Sequence, residues 1–252
     1  MTTIRTLFAA ILVGLVWTGA PAFADGDPLR SPGWHIMEDR FFRDARVVHD
    51  DRVEVLAPPG AEDTTAVPGL VRVHGIEDVQ RLLVFADLNP IPRILEMRPS
   101  GALPTVGFAF KVQQATPIRA AVQTSDGTWY VGGTWVDAAG GGCSAPSIAS
   151  ANPEWQDRLG ELKGSRWSSG NGMERFSFAV VHPMDTGLAP GIPEFFVEEI
   201  EVRGTNNELL AHIEIEASMA ENPEITLQLP EQEVIRVRGS DNNGNRFAGV
   251  LR

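Results

Sequence analysis

Cysteine is all but missing from this 252-residue chain, which holds one, Cys143. An internal disulfide is therefore excluded, and whatever fold forms must be held by its apolar core. A thiol–disulfide enzyme is disfavoured too, because the chain has no second cysteine to resolve the mixed disulfide. Positive charge is scarce, with 21 basic residues against 33 acidic ones. That argues against nucleic acid as a partner, since phosphate binding needs clustered Lys and Arg to displace counterions. Long apolar runs are confined to the N-terminus. The stretch from Leu7 to Trp17 is shorter than the about 20 residues a bilayer-spanning helix takes, so no membrane anchor is expected.

Catalytic and metal-binding patterns are equally sparse. His35, His49, His74, His182 and His212 have none of the spacing that zinc or copper sites use, so no metal or cofactor is expected. Asp241-Asn242-Asn243-Gly244-Asn245 lacks the glutamate that closes a calcium loop and reads as a β-turn. Gly140-Gly141-Gly142 is followed by Cys143-Ser144-Ala145-Pro146, without the Lys-Ser or Lys-Thr and helix start of a phosphate loop. No Gly-x-Ser-x-Gly elbow occurs, and the chain is not expected to be an enzyme.

What is present begins with a leader. Arg5, the apolar run and Ala20-Pro21-Ala22-Phe23-Ala24 before Asp25 have the order of a cleavable secretory signal over 1–24. No cysteine stands after Ala24 to take a lipid, and a free periplasmic protein is expected. Cleavage removes Arg5 and leaves 20 basic against 33 acidic residues, a surface that could complement a basic partner protein.

Trp34, Met37, Phe41 and Phe42 lie at near-helical spacing and predict one short amphipathic helix. Strand-like runs follow at Val53 to Ala57, Leu70 to Val73, Val79 to Ala86, Arg93 to Met97, Val106 to Val112, Ile118 to Gln123 and Thr128 to Val136. Pro58-Pro59-Gly60, Asn89-Pro90, Pro99-Ser100-Gly101 and Ser125-Asp126-Gly127 punctuate them as turns. Residues 137–152 have almost no large apolar side chain. Asn152-Pro153 then predicts a helix cap and a short helix to about Leu162. A second strand series runs from Met173 to Leu251. This is an all-β chain of two immunoglobulin-like β-sandwich domains with short N-terminal helices, over 25–139 and 152–252, joined by a Gly-rich linker over 140–151. Different sequences in the two halves predict a heterologous pair packed side by side.

Cys143 sits at the end of Gly140, Gly141 and Gly142 with Ser-Ala-Pro beyond it. Such neighbours offer little with which to bury a side chain, so an exposed thiol on a flexible arm is expected. Seven residues separate it from Val136, an extended reach of at most about 23 Å. No cation stands near it in sequence, and no activation of the thiol is expected from its own linker.

These features resemble the SoxYZ sulfur carrier, a periplasmic pair in which one sandwich bears a glycine-cysteine swinging arm and the other is its partner. The second half is similar to SoxZ through His182-Pro183-Met184-Asp185-Thr186-Gly187, Ile192-Pro193-Glu194-Phe195-Phe196 and Asp241-Asn242-Asn243-Gly244. The first half is similar to SoxY through Asn89-Pro90-Ile91-Pro92, Ser125-Asp126-Gly127 and the arm. The SoxY arm ends its chain as Gly-Gly-Cys-Gly-Gly, whereas Cys143 here is followed by a second domain. That order looks like the fused SoxYZ-like carriers associated with quinoprotein dehydrogenases. The resemblance implies a covalent carrier of sulfur-containing groups on Cys143, visiting sulfur-oxidising enzymes or a quinoprotein dehydrogenase. A non-carrier accessory subunit of such a dehydrogenase is the alternative.

Overall fold

The computed structural model describes residues 26–151 and 153–251. The leader at 1–24 and the expected cap Asn152 lie outside the described residues. The predicted first helix is α1 (Trp34–Phe41), with Trp34 and Met37 buried. The first half then holds β1 (Val47–His49), β2 (Val53–Leu56), β3 (Val67–Val73), β4 (Val79–Ala86), β5 (Arg93–Pro99), β6 (Val106–Phe110), β7 (Thr116–Thr124) and β8 (Trp129–Val136). The second holds β9 (Leu162–Gly170), β10 (Met173–Val180), β11 (Asp185–Thr186), β12 (Glu194–Phe195), β13 (Val197–Arg203), β14 (Leu209–Ile215), β15 (Glu224–Pro230), β16 (Ile235–Asp241) and β17 (Arg246–Leu251). The helix expected at Pro153 is a 3₁₀ turn over Pro153–Arg158.

The halves share their sheets. A nine-stranded sheet runs β1-β8-β7-β4-β5-β14-β13-β16-β17, and a six-stranded sheet runs β2-β3-β6-β15-β10-β9. The joints are antiparallel: β5 meets β14 from Leu95 opposite Ile215 to Pro99 opposite Ala211, and β6 meets β15 at Val106 opposite Leu227. Between the sheets one core crosses the joint, with Leu82, Val84, Leu95 and Met97 beside Ile213, Ile215, Phe176 and Leu227. Alternation along the strands dictates this, because period-two side chains place one set inward. β15 shows it as buried Ile225, Leu227 and Leu229 between half-buried neighbours. The pairing expected between the halves is thus made through backbone ladders as well as side chains.

β4 is apolar on both faces for a second reason. Leu82 and Val84 enter the shared core, while Leu83 and Phe85 face outward under Trp34, Met37, Phe42 and Trp129. The segment leading into α1 is held by a buried ion triad. Arg119 reaches Asp27 at 2.7 Å and Asp87 at 2.9 Å, and its guanidinium lies 4.4 Å from the Trp34 ring. Burial pushes both carboxyls up; at Asp27 the guanidinium and the Ser31 and Leu29 amides outweigh it, and at Asp87 burial prevails. No helix among the described residues is long and apolar enough to cross a membrane.

Candidate functional site

Cys143 lies where the two halves meet, and its side chain is fully buried. The expected exposed thiol is therefore corrected. The physical reason is that the groups burying it are distant in sequence, so its Gly and Ser neighbours say nothing about its surroundings. β6 runs on into Lys111, Val112 and Gln113, and the arm lies along them. The Gly141 amide donates to Gln113 O at 3.2 Å and the Gly142 amide to Val112 O at 3.0 Å. Val112 in turn donates to Thr64 O at 2.8 Å. The Cys143 thiol donates to Lys111 O at 3.7 Å.

The glycines serve this close fit. Gly140 and Gly141 have φ of 105° and 90°, a region that side chains rarely enter. Gly142 has no such need; a Cβ on it would overlap the Thr64 carbonyl oxygen and press on Val112 O. The three glycines expected to loosen the arm thus also let its backbone lie against two others.

Residues from both halves clasp the loop. From the first, the Gln113 side chain accepts from the Ser144 amide at 3.2 Å, and Thr64 Oγ1 donates to Gly140 O at 3.4 Å. From the second, Thr186 Oγ1 donates to the Cys143 carbonyl at 2.5 Å. Asp185 Oδ1 accepts from the Ser147 amide at 3.2 Å, and Glu221 accepts from the Ile148 and Ala149 amides. Thr186 and Asp185 belong to the His182 to Gly187 segment, so the two segments singled out in the sequence are in contact.

Lys111 was not foreseen as a site residue. Its side chain is buried, and Nζ donates to three carbonyls of the other half: Met184 at 2.5 Å, Met219 at 2.7 Å and Ala217 at 2.9 Å. Three donors meet three acceptors, which is what a buried ammonium requires. Burial pushes it down to about 8, against the pull of Cys143, Asp185 and Glu221. Burial likewise pushes the Cys143 thiol up to about 11, and Lys111 offsets only part of that. Burial thus favours the protonated thiol at neutral pH, and a cation does stand beside it, brought there from a part of the chain remote in sequence. One signal could have revealed Lys111: it is one of two lysines in the chain and stands between Phe110 and Val112.

Met184 carries one of those carbonyls on a backbone with φ of 53°, which is unusual for a side chain of its size. Three bonds hold it there. Its amide donates to His182 Nδ1 at 3.1 Å, its carbonyl takes Lys111, and its sulfur accepts from the Val197 amide at 3.3 Å. Burial pushes His182 down to about 4 despite Asp241 nearby, so its ring is neutral. Since Nδ1 accepts, the ring proton is on Nε2.

Comparison with known proteins adds the following. The profile of the family described as sulfur oxidation protein SoxY matches residues 38–143, and that of sulphur oxidation protein SoxZ matches 166–251. The first match ends on Cys143 itself. No curated protein matches the chain. Among solved structures, the sulfur carrier protein SoxY from Chlorobium limicola f thiosulfatophilum is 18% identical, covering 42% of this chain and 96% of its own, with a TM-score of 0.36. Two structures of Parabacteroides merdae β-glucuronidase are 8% identical over 81% of this chain. They cover 25% and 24% of their own length, with TM-scores of 0.24 and 0.26. These superpositions are too loose to bear on fold or function.

Proposed function

The chain belongs to the SoxY and SoxZ families, in tandem as a fused SoxYZ-like sulfur carrier, and we propose that Cys143 bears the cargo as a periplasmic covalent carrier thiol. On this reading the buried loop is the resting position. The arm unclasps to present its sulfur to a partner enzyme and returns when unloaded. The SoxY-type unit over 25–139 supplies the arm, the SoxZ-type unit over 152–252 supplies the clasp, and Gly140, Gly141 and Gly142 are the joint.

The observation that carries this is the mismatch between how the halves hold each other and how the second half holds the arm. The halves are joined by two strand ladders and a common core. The second half grips the arm through hydrogen bonds from single side chains: Thr186, Asp185 and Glu221. Each such bond contributes about 1 kcal/mol, more where a carboxylate is involved, so the second half can let go of the arm without parting the sheets, and the Gly141 and Gly142 amides must also leave Gln113 and Val112 before the thiol is free. Two apolar side chains flank the clasp and remain open to a partner: Ile148, 80% exposed, and Leu188, 44% exposed.

The burial of the thiol favours a second reading, an accessory subunit of a periplasmic quinoprotein dehydrogenase that uses the loop for contact alone. Intact-mass analysis of protein from its native host, without reductant, tests the first. Adducts confined to Cys143 support the carrier, and a uniformly bare thiol during growth on a sulfur substrate counts against it. Cys143→Ser separates the two, because substrate oxidation that depends on the protein should vanish for a carrier and persist for a contact module.

A further inference from the structure

The stretches of chain that converge on the arm bring almost no positive charge. Residues 57–71 pass it at Thr64, residues 111–117 lie alongside it, and residues 137–149 contain it. Residues 181–197 and 216–224 clasp it through Thr186 and Glu221. Together these stretches hold a single lysine or arginine, Lys111, whose ammonium is buried and spent on three carbonyls. His182 among them is neutral.

Carboxylates, by contrast, gather there. Glu62 and Asp63 stand just before Thr64, whose Oγ1 donates to Gly140 O and whose carbonyl lies against Gly142. Asp137 stands ahead of Gly140, its backbone bonded to Pro59 and Ala61. All three are exposed, and none is in an ion pair among the described residues. Glu221 adds a half-buried carboxylate on the Ile148 and Ala149 amides. Elsewhere the acids are answered: Glu96, Glu174, Glu201 and Glu216 each meet an arginine, at 2.7, 2.8, 2.7 and 2.5 Å. Arg158 and Lys163, across a cleft from Ile148 and Glu221, face Glu161 at 2.6 and 3.9 Å.

Uncompensated charge of one sign at one place on a surface focuses a potential and steers a partner of the opposite sign. Among the described residues no three His, Cys, Asp or Glu side chains converge as a metal ion requires, so this charge is spread as for a surface. Apolar contacts stand in the same border. Ile148 is 80% exposed and Leu188 44%, and the Leu188 amide donates to Thr186 Oγ1, the group that holds the Cys143 carbonyl. Apolar anchors within a polar rim are the anatomy of a protein interface.

We propose that the border of the arm is the docking face for a protein whose own opening is ringed by Lys and Arg, with Leu188 and Ile148 seated against it, and that the acids turn free anions away from the thiol. That this protein loads or unloads Cys143 rests on the carrier reading. The acidic field does not, and the test keeps the two apart.

The full chain is treated with a trimethylammonium and a sulfonate methanethiosulfonate, and modification of Cys143 is followed by mass. In both cases the thiolate attacks the reagent's sulfur, a disulfide forms and methanesulfinate leaves. Both reagents wait on the same opening of the arm, so the ratio of their rates, divided by that for 2-mercaptoethanol, reads the field. The ratio should favour the cation about tenfold at about 20 mM salt and fall towards one at about 0.5 M, where charges are screened. Glu62→Lys with Asp137→Lys, at exposed positions without side-chain hydrogen bonds among the described residues, should bring it to one or below. A hexalysine peptide at low salt should shift the backbone amide resonances of 62–63, 137 and 188 ahead of those of 201 and 216, and lose that preference in the double variant. An even ratio, a ratio that the double variant leaves unchanged, or peptide shifts centred on Glu201 and Glu216 would overturn the docking face. Should the thiol react with neither reagent, the carrier reading fails and the peptide alone decides the docking face.

Discussion

The two halves meet in two ways, and the contrast is what the proposed moving arm rests on. Along β5–β14 and β6–β15 they share backbone ladders over a common core, and the outer face of that joint is laced by ions. There Glu96 meets Arg81 at 2.7 Å and Arg98 at 3.5 Å, and Arg93 meets Glu216 at 2.5 Å. At the arm they meet through a loop without regular structure. The first contact is a pair of continuous ladders over an apolar core, and the second is a set of single hydrogen bonds. A carrier made of two separate chains must also hold its partner, whereas here the covalent link and the joined sheets do so, and on the proposed reading the arm is the element that changes position.

Predictions follow this contrast from its strongest part to its weakest. Lys111→Ala leaves three buried carbonyls of the second half without a donor, and Ile213→Ala empties the shared core. Each should lower unfolding free energy by about 3 kcal/mol or more, measured by urea titration. A loss under about 1 kcal/mol for both would mean that the joint is not the structural spine. Gly142→Ala should do the reverse, leaving the unfolding free energy within about 1 kcal/mol of the parent. Because the added methyl cannot sit against Thr64, the loop is forced off its seat, and alkylation of Cys143 at pH 8 should speed up by roughly a hundredfold. Thr186→Val removes one bond to the Cys143 carbonyl, worth about 1 kcal/mol, and should speed the same reaction about fivefold.

The pH dependence has a definite sign. The docked thiol is raised to about 11 from an ordinary value near 9, so the docked state binds its proton more tightly than the open one. Docking is fully favoured below pH 9 and weakens as pH rises through 9 towards 11. Alkylation through opening should therefore show an apparent pKa near 11 in the parent and near 9 in Gly142→Ala. Global stability is a poorer probe. Lys111, lowered to about 8 from 10.5, binds fewer protons folded than unfolded, and gains stability over pH 8 to 10.5 as Cys143 begins to lose it.

Much of the fold was legible in the sequence because local pattern and burial agree. Ile225, Leu227 and Leu229 alternate against Thr226 and Gln228 in β15, and Trp34 and Met37 mark the buried face of α1. β9 was missed for the opposite reason: Leu162 to Gly170 is an edge strand with mostly exposed residues and no apolar alternation. That β5 would pair with β14 could not be read at all, since pairing across a hundred residues depends on tertiary register, which no local pattern encodes. The site divides similarly. Cys143 and its glycines stood out by composition and the His182 segment by its resemblance to SoxZ, whereas the seat of the arm is made by Thr64, Val112 and Thr186, each remote in sequence.

The central claim, that the arm opens while the joined sheets stay closed, is tested most directly by following Cys143 alkylation and backbone hydrogen exchange on the same native sample. The account predicts that the thiol reacts many times faster than the protected amides of β5 and β14 exchange. Equal rates, with the thiol reacting only when those amides open, would show that the sulfur is released by global unfolding alone and would contradict it.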